Sequence, residues 1–162
     1  MRRVMAILIG TLVSTYAAAG LKVTAPDQAC NLVTEAGLKT RGWKNHYDQE
    51  FSCSSPYKDI GSAFPLPNNL AFYAEGSSTS VNLFKLVLNI NVPSAASSAN
   101  KELQKAVTIL IPKVTGEKAS PSLLKAISQG ESTTMKIGTS TVKVVRDNWP
   151  TGKGYEIKVI VN

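Results

Sequence analysis

The sequence predicts an α+β fold, a two-layer sandwich in which helices cover one face of an antiparallel sheet. Some segments repeat apolar residues at helical spacing, while others alternate apolar and polar residues with a period of two. The two kinds follow one another in the order helix, strands, helices, strands. Strands with a single apolar face leave their other face to solvent, which is typical of antiparallel sheets backed by helices.

Three segments have the helical pattern. Their spans are 26–36, about Ser97 to Ile111, and a short segment between Ser120 and Gly130. Pro26 fits a first helical turn and Gly37 a helix end. We expect the second helix to end before Pro112, because proline lacks the backbone donor that a helix interior needs.

The period-two segments predict two hairpins and a final strand. Their spans are 70–75 with 84–91, Thr133–Ile137 with Thr141–Arg146, and Tyr155–Val161. Residues 39–69 have the weakest pattern. Phe51–Ser54 favours a short strand there, and three prolines predict a loop over Ser55–Asn69.

The first nineteen residues have the three parts of a secretory signal. Two arginines follow Met1, Val4–Ala19 is an uncharged run of 16 residues, and small residues close it. The run is shorter than the roughly 20 apolar residues of a membrane-spanning helix. We therefore predict a signal peptide over 1–19, cleavage between Ala19 and Gly20, and one α+β domain over 20–162. No membrane anchor is expected after cleavage, and the expected location is the periplasm of a Gram-negative bacterium.

Export decides how Cys30 and Cys53 are interpreted, because two cysteines in an oxidising compartment usually pair. A bridge across the 22 intervening residues would stabilise the fold by about 3 kcal/mol. Two free reactive thiols or a metal site are the alternatives. With His46 as the single histidine, the set is poor for zinc, which takes four ligands in structural sites.

The sequence offers no recognisable catalytic set. His46 lies in a polar stretch that predicts a surface turn, and no serine stands in a G-x-S-x-G elbow. The 11 acidic residues are scattered. Gly152-Lys153-Gly154 precedes a strand rather than a helix, so it predicts a hairpin connection with Trp149 folded over it, not a phosphate loop. We expect no enzyme, no metal and no cofactor.

The basic balance of the chain indicates its partners only broadly. The whole chain carries a formal charge of +7, which becomes +5 without Arg2 and Arg3. The lysines are dispersed and aromatics make up 7% of residues, so nucleic acid is not expected. The expected partner is another protein or an anionic component of the cell envelope.

Several segments resemble a family of small exported proteins of Gram-negative bacteria, a domain of unknown function. They are 30–32, 37–42, 53–57, 68–73, 86–89 and 149–156. The resemblance implies export and a single domain, and it assigns no catalytic residues. The element order is also loosely similar to that of type III secretion chaperones, an analogy shared by many unrelated domains.

The expected function is that of a non-enzymatic periplasmic binding protein, with an inhibitor, immunity or chaperone-like role. The residues predicted for its binding surface are Trp43, His46, Tyr47, Tyr57, Trp149 and Lys153. They belong to loops expected at 43–47 and 57–67 and to the connection at 149–154. The alternative is a small cell-envelope enzyme acting on peptidoglycan or glycan. It would need some of His46, Asp48, Glu50 and Asp147 gathered in one cleft.

Overall fold

Eight antiparallel strands and a layer of helices make up the computed structural model, which describes residues 20–162. The strands are β1 (Lys44–Tyr47), β2 (Glu50–Ser54), β3 (Lys58–Ile60), β4 (Asn68–Gly76), β5 (Val81–Ile90), β6 (Thr133–Ile137), β7 (Ser140–Asn148) and β8 (Tyr155–Val161). The helices are α1 (Pro26–Ala29), α2 (Ala96–Thr115) and α3 (Pro121–Gln129), with 3-10 turns at Thr34–Ala36 and Pro93–Ala95. The predicted signal peptide lies outside the described residues.

The sheet has the spatial order β1-β2-β4-β5-β8-β7-β6, and β3 also pairs with β4. β2 and β3 therefore follow one another along the same edge of β4. Ser55 bridges the interruption, because its backbone nitrogen donates to Phe72 O (2.9 Å) while its Oγ accepts from Phe72 N (3.0 Å). Every strand pair is antiparallel, as the sequence predicts.

Helix α2 lies across the centre of the sheet and buries one of its faces. The alternation of β4 and β5 places Phe72 and Phe84 on this side, fully buried, with their rings stacked 6.2 Å apart. Leu103 and Val107 of α2 are fully buried in the same core. The α+β class and the helix, strands, helices, strands order are thus confirmed.

The helix expected over 26–36 is wrong in its extent. Only Pro26–Ala29 is α-helical, and a 3-10 turn follows at Thr34–Ala36. Two polar side chains bond to nearby carbonyls, Asn31 Nδ2 to Asp27 O (2.8 Å) and Thr34 Oγ1 to Asn31 O (3.1 Å). Such local bonds give the backbone an alternative to the regular helix.

The expected end of the second helix at Pro112 is also wrong. α2 continues to Thr115 and ends at Gly116, whose φ is +80°. Val114 and Thr115 are buried, so the final turn contributes to the core. Thr115 Oγ1 also bonds to the carbonyl of Ile111 (2.8 Å). This burial offsets the single backbone bond that proline cannot make.

The loop expected over Ser55–Asn69 contains more structure than its prolines indicate. Lys58–Ile60 forms β3, and β4 starts at Asn68. β3 is an edge strand that pairs only with β4. The prolines lie before and after β3 in the chain, so they remove no hydrogen bond from this pairing. Three residues are too few to show a period of two.

Cys30 and Cys53 form a disulfide, as predicted, with their Cα atoms 5.9 Å apart. Both are buried, and the bridge ties the end of α1 to the middle of β2. Within residues 20–162, no helix is both long and apolar enough to cross a membrane.

Candidate functional site

The most exposed large apolar side chain among the described residues belongs to Phe64, in the segment between β3 and β4. We call residues 61–67 the proline loop. Phe64 is 96% exposed and Leu66 is 54% exposed, with prolines at 65 and 67. Exposed apolar side chains that stand together mark interaction surfaces more often than single scattered ones do.

Buried asparagines fix the chain where the proline loop ends. Asn68 is buried, and its side chain both accepts from Val92 N (2.8 Å) and donates to Val92 O (3.3 Å). The carbonyl of Pro67 accepts from Asn69 Nδ2 (3.3 Å) and Asn91 Nδ2 (2.6 Å). These bonds join the loop to the end of β5. The loop is therefore held at its base, and proline limits the freedom of its backbone.

Tyr57 lies before β3, next to Tyr73 on the sheet face that carries no helix. Burial, reinforced by the neighbouring phenol of Tyr57 and by the nearby carboxylates of Glu156 and Glu75, raises the pKa of Tyr73 far above its ordinary value. Tyr73 therefore stays neutral at ordinary pH. Tyr57 remains largely exposed.

Trp149 and Lys153 lie in the β7–β8 connection, at the same end of the sheet as the proline loop. The hairpin closes through Trp149 N, which donates to Gly154 O (3.1 Å). A Cβ on Gly154 would lie 2.5 Å from the indole ring of Trp149, so the ring lies over this glycine as the sequence predicts. Lys153 is exposed. This connection lies near the proline loop because Tyr155, which follows it, pairs with Ile90. The next residue, Asn91, bonds to the carbonyl of Pro67 in the loop.

The other predicted surface residues lie elsewhere. Trp43 is half-buried against the core, and its Nε1 has no hydrogen-bond partner within residues 20–162. His46 and Tyr47 are exposed on β1, at the end of the sheet where β4 turns into β5. The surface turn expected around His46 is thus an edge strand. The six residues do not form one continuous surface.

Of the four residues considered for a catalytic cleft, two share a depression and Asp147 lies far from them. His46 and Glu50 line one depression of about 400 Å³, beside Glu75. Asp147 lies on β7, four strands from β2, or about 19 Å at the usual strand spacing. It pairs there with Lys158 at 2.8 Å. Hydrogen bonds from Lys158 to Asp147 and Glu156 raise the pKa of Lys158.

A wide groove of about 990 Å³ runs over the outer side of α2. Lys58 spans it, because its Nζ lies 3.0 Å from both Ala36 O and Glu102 Oε2. Glu102 also pairs with Lys105. Hydrogen bonds from Lys105 and Lys58 lower the pKa of Glu102. The charges of Lys58, Glu102 and Lys105 in this groove therefore satisfy one another.

Sequence reasoning did not single out Phe64 or Leu66, although both fall within the loop expected over 57–67. The sequence does contain a pattern that could have identified them, because two large apolar residues beside prolines are unusual in a loop, where polar residues are the norm. The described residues hold no group of three or more His, Cys, Asp or Glu side chains placed to bind a metal. What the arrangement offers is apolar contact from a loop held at its base.

The architecture places the chain among the α+β proteins with helices on one face of an open antiparallel sheet. Comparisons with protein-family models, curated proteins and solved structures find no match. The resemblance to a family of small exported proteins therefore stays a prediction.

Proposed function

We propose that the chain is a non-enzymatic binding protein that acts in the periplasm after residues 1–19 are removed. The Cys30–Cys53 disulfide supports export, because such bonds persist in oxidising compartments and are rare in the cytosol. The charged, then apolar, then small-residue order of the first nineteen residues supports it independently.

The exposure of Phe64 carries the proposal. An aromatic side chain that is 96% exposed gains nothing from the fold, whereas burial in a partner would remove its apolar surface from water. Leu66 stands two residues away and is also exposed. Asparagines fix the loop at its C-terminal end and two prolines restrict its backbone, which reduces the ordering entropy lost on binding. Apolar side chains exposed close together are typical of an interaction surface.

The partner we propose is another exported protein with an apolar pocket for Phe64 and a negative surface around it. The net charge of the chain is positive, and Lys153 is exposed at the same end of the sheet. Charge of this kind speeds association with an acidic partner more than it strengthens the complex. An inhibitor, immunity or chaperone-like role would each use such a contact.

Capture from a periplasmic extract tests the proposal. The disulfide-bonded protein is immobilised as wild type and as a Phe64→Ala, Leu66→Ala double variant, and bound proteins are identified by mass spectrometry. We expect a partner that the wild type retains and the variant loses. With the purified partner, Phe64→Ala alone should weaken binding at least about tenfold in calorimetry.

Tyr47→Ala is the matched control, because Tyr47 is 78% exposed and lies at the opposite end of the sheet. This variant should retain the partner. Repeated capture of nothing by the wild type contradicts the binding function. Equal capture by the wild type and the double variant contradicts the role of the proline loop.

A further inference from the structure

Strand β6 forms one edge of the sheet and pairs on one side only, with β7. Its 5 residues pair with β7 without a register shift, and none of them is proline. The strand at the opposite edge, β1, has a register shift between Asn45 and Tyr47. Bulges and prolines are common devices that keep a sheet edge from pairing with another chain. β6 carries neither of them.

The backbone hydrogen bonds of β7 show which groups of β6 face outward. Thr141 N donates to the carbonyl of Asn162 (2.6 Å), directly after β8, and Thr141 O accepts from Asn162 N (3.0 Å). Both backbone groups of Thr141 therefore point away from β6. Lys136 lies opposite Thr141 in the ladder, so its own N–H and C=O point away from β7, to the free edge. Thr134, two residues before it, has the same orientation. Within residues 20–162, the backbone groups of these two β6 residues have no hydrogen-bond partner.

The side chains of β6 differ between the two faces of the sheet. Met135 packs against the core on the helix side. Alternation places Thr134 and Lys136 on the face that carries no helix, and both are exposed. Lys136 Nζ donates to Thr141 Oγ1 at 2.7 Å, so the lysine side chain lies back over β7 and leaves the backbone edge uncovered. Lys143 of β7 pairs with Thr134 and is exposed on the same face.

The charge beside this edge is positive. Within residues 20–162, neither Lys136 nor Lys143 forms an ion pair. Asp147, near the far end of β7, is paired with Lys158, and Glu131 lies outside β6, before its first residue. Pairing with a second copy of β6 would gather the lysines of both copies on one face, which like charge disfavours. A strand with carboxylates on that face would be attracted instead.

We propose that β6 is a docking site for an extended segment of another protein, a segment that alternates acidic and apolar residues and adds to the sheet as a further strand. The outward N–H and C=O groups of Thr134 and Lys136 would supply main-chain hydrogen bonds. Acidic side chains would meet Lys136 and Lys143, and the apolar ones would lie beside Met135. β5, β8 and β7 separate this edge from β4 and the proline loop, so the site is distinct from the one already proposed.

Amide hydrogen exchange followed by NMR tests this assignment. The ¹⁵N-labelled, disulfide-bonded protein is mixed with a blocked peptide that alternates glutamate and valine, and separately with one that alternates lysine and valine. We expect the glutamate peptide to slow exchange at the amides of Thr134 and Lys136 by at least about tenfold, because hydrogen bonding protects an amide. The lysine peptide should leave both rates unchanged. Met135 is the internal control, since its N–H points toward β7 in the free protein as well.

Variants separate the backbone contribution from the charge contribution, with the Kd of each peptide measured by calorimetry. Thr134→Pro removes an outward-facing donor and no hydrogen bond of the fold, so it should weaken binding of the glutamate peptide at least about tenfold. Thr134→Val is the matched control, because it keeps the N–H and a β-branched side chain, and its Kd should equal that of the wild type. Lys136→Glu leaves every backbone group in place. It should weaken the glutamate peptide about tenfold and strengthen the lysine peptide.

Three results would overturn the proposal. The first is that the glutamate peptide leaves exchange at Thr134 and Lys136 unchanged, or binds Thr134→Pro as tightly as the wild type. The second is that Lys136→Glu changes the affinity for neither peptide. The third is that the protein without peptide sediments as a dimer in which these two amides are already protected, because a second copy would then fill the edge. The test involves neither Phe64 nor Leu66, so its outcome is independent of the function proposed for the proline loop.

Discussion

Reduction of the Cys30–Cys53 disulfide should lower the melting temperature by about 10 °C. The bridge closes a loop with a sequence separation of 23 residues, which in the chain-entropy argument is worth about 3 kcal/mol. At about 2.1 cal/mol/K per residue, the entropy of unfolding of residues 20–162 is about 0.3 kcal/mol/K. The ratio of the two quantities is the expected shift.

Thermal unfolding followed by circular dichroism, with and without a reductant, measures this shift. A Cys30→Ala, Cys53→Ala variant should melt lower than the reduced wild type, because both cysteines are at most 3% exposed and the missing sulfur atoms leave a cavity. The reductant should not change the variant. If oxidised and reduced wild type melt together, or if mass spectrometry finds two free thiols in the native protein, the reasoning fails.

Two further predictions concern packing and charge. Gly154→Ala should lower the free energy of unfolding in urea by about 2–3 kcal/mol, because the added Cβ would lie 2.2 Å from Ile90 O and 2.5 Å from the Trp149 ring. Gly152→Ala is the control: it has open space around it but a φ of +68°, and should cost about 1 kcal/mol. Equal urea midpoints for Gly154→Ala and the wild type would contradict the close packing. Glu102→Gln should reduce the free energy of unfolding at neutral pH by about 0.5 kcal/mol. Hydrogen bonds from Lys105 and Lys58 lower the pKa of Glu102 in the folded state. The stabilisation from the ionised carboxylate is therefore present above the unfolded-state pKa and is lost as the pH falls through the folded-state pKa. Urea unfolding across the acid range should show the two proteins converging at low pH, and a constant difference would exclude this ionic contribution.

The central hairpin shows how far the sequence alone leads. Phe72 and Leu86 face the helices while Tyr73 and Lys85 face away, and the period of two in the sequence is sufficient to predict this. The pattern depends only on neighbours along the chain. β4 nevertheless starts at Asn68, two residues before the apolar alternation, because ladder pairing requires no apolar side chains.

The two misplaced helix boundaries have different causes, one non-local and one local. Pro112 predicts a helix end, yet the burial of Val114 against the sheet carries α2 one turn further. In the first segment, Asn31 and Thr34 bond to nearby carbonyls and the regular helix stops at Ala29. Propensity is a weak prior that tertiary packing overrides.

The predicted surface residues separate for a related reason. Aromatic type and an expected loop position selected Trp43 and Trp149, but both side chains are half-buried. Tyr47 and Tyr57 are the exposed large aromatic residues of the predicted surface, and Phe64, which was not predicted, is more exposed than either. Exposure in a loop depends on which distant segments cover it, and no periodicity along the chain records that.

The sequence by itself determined the α+β class, the alternating order of helices and strands, the pairing of the two cysteines and which face of the main hairpin is apolar. Each of these follows from local spacing or from residue type. Only the tertiary structure decided that Phe64 is left in solvent, that Asn100 Oδ1 has no hydrogen-bond partner within residues 20–162 and that Tyr155 meets Arg146. Those properties arise where segments far apart in the chain come together, and burial and hydrogen-bond partners exist only once they have.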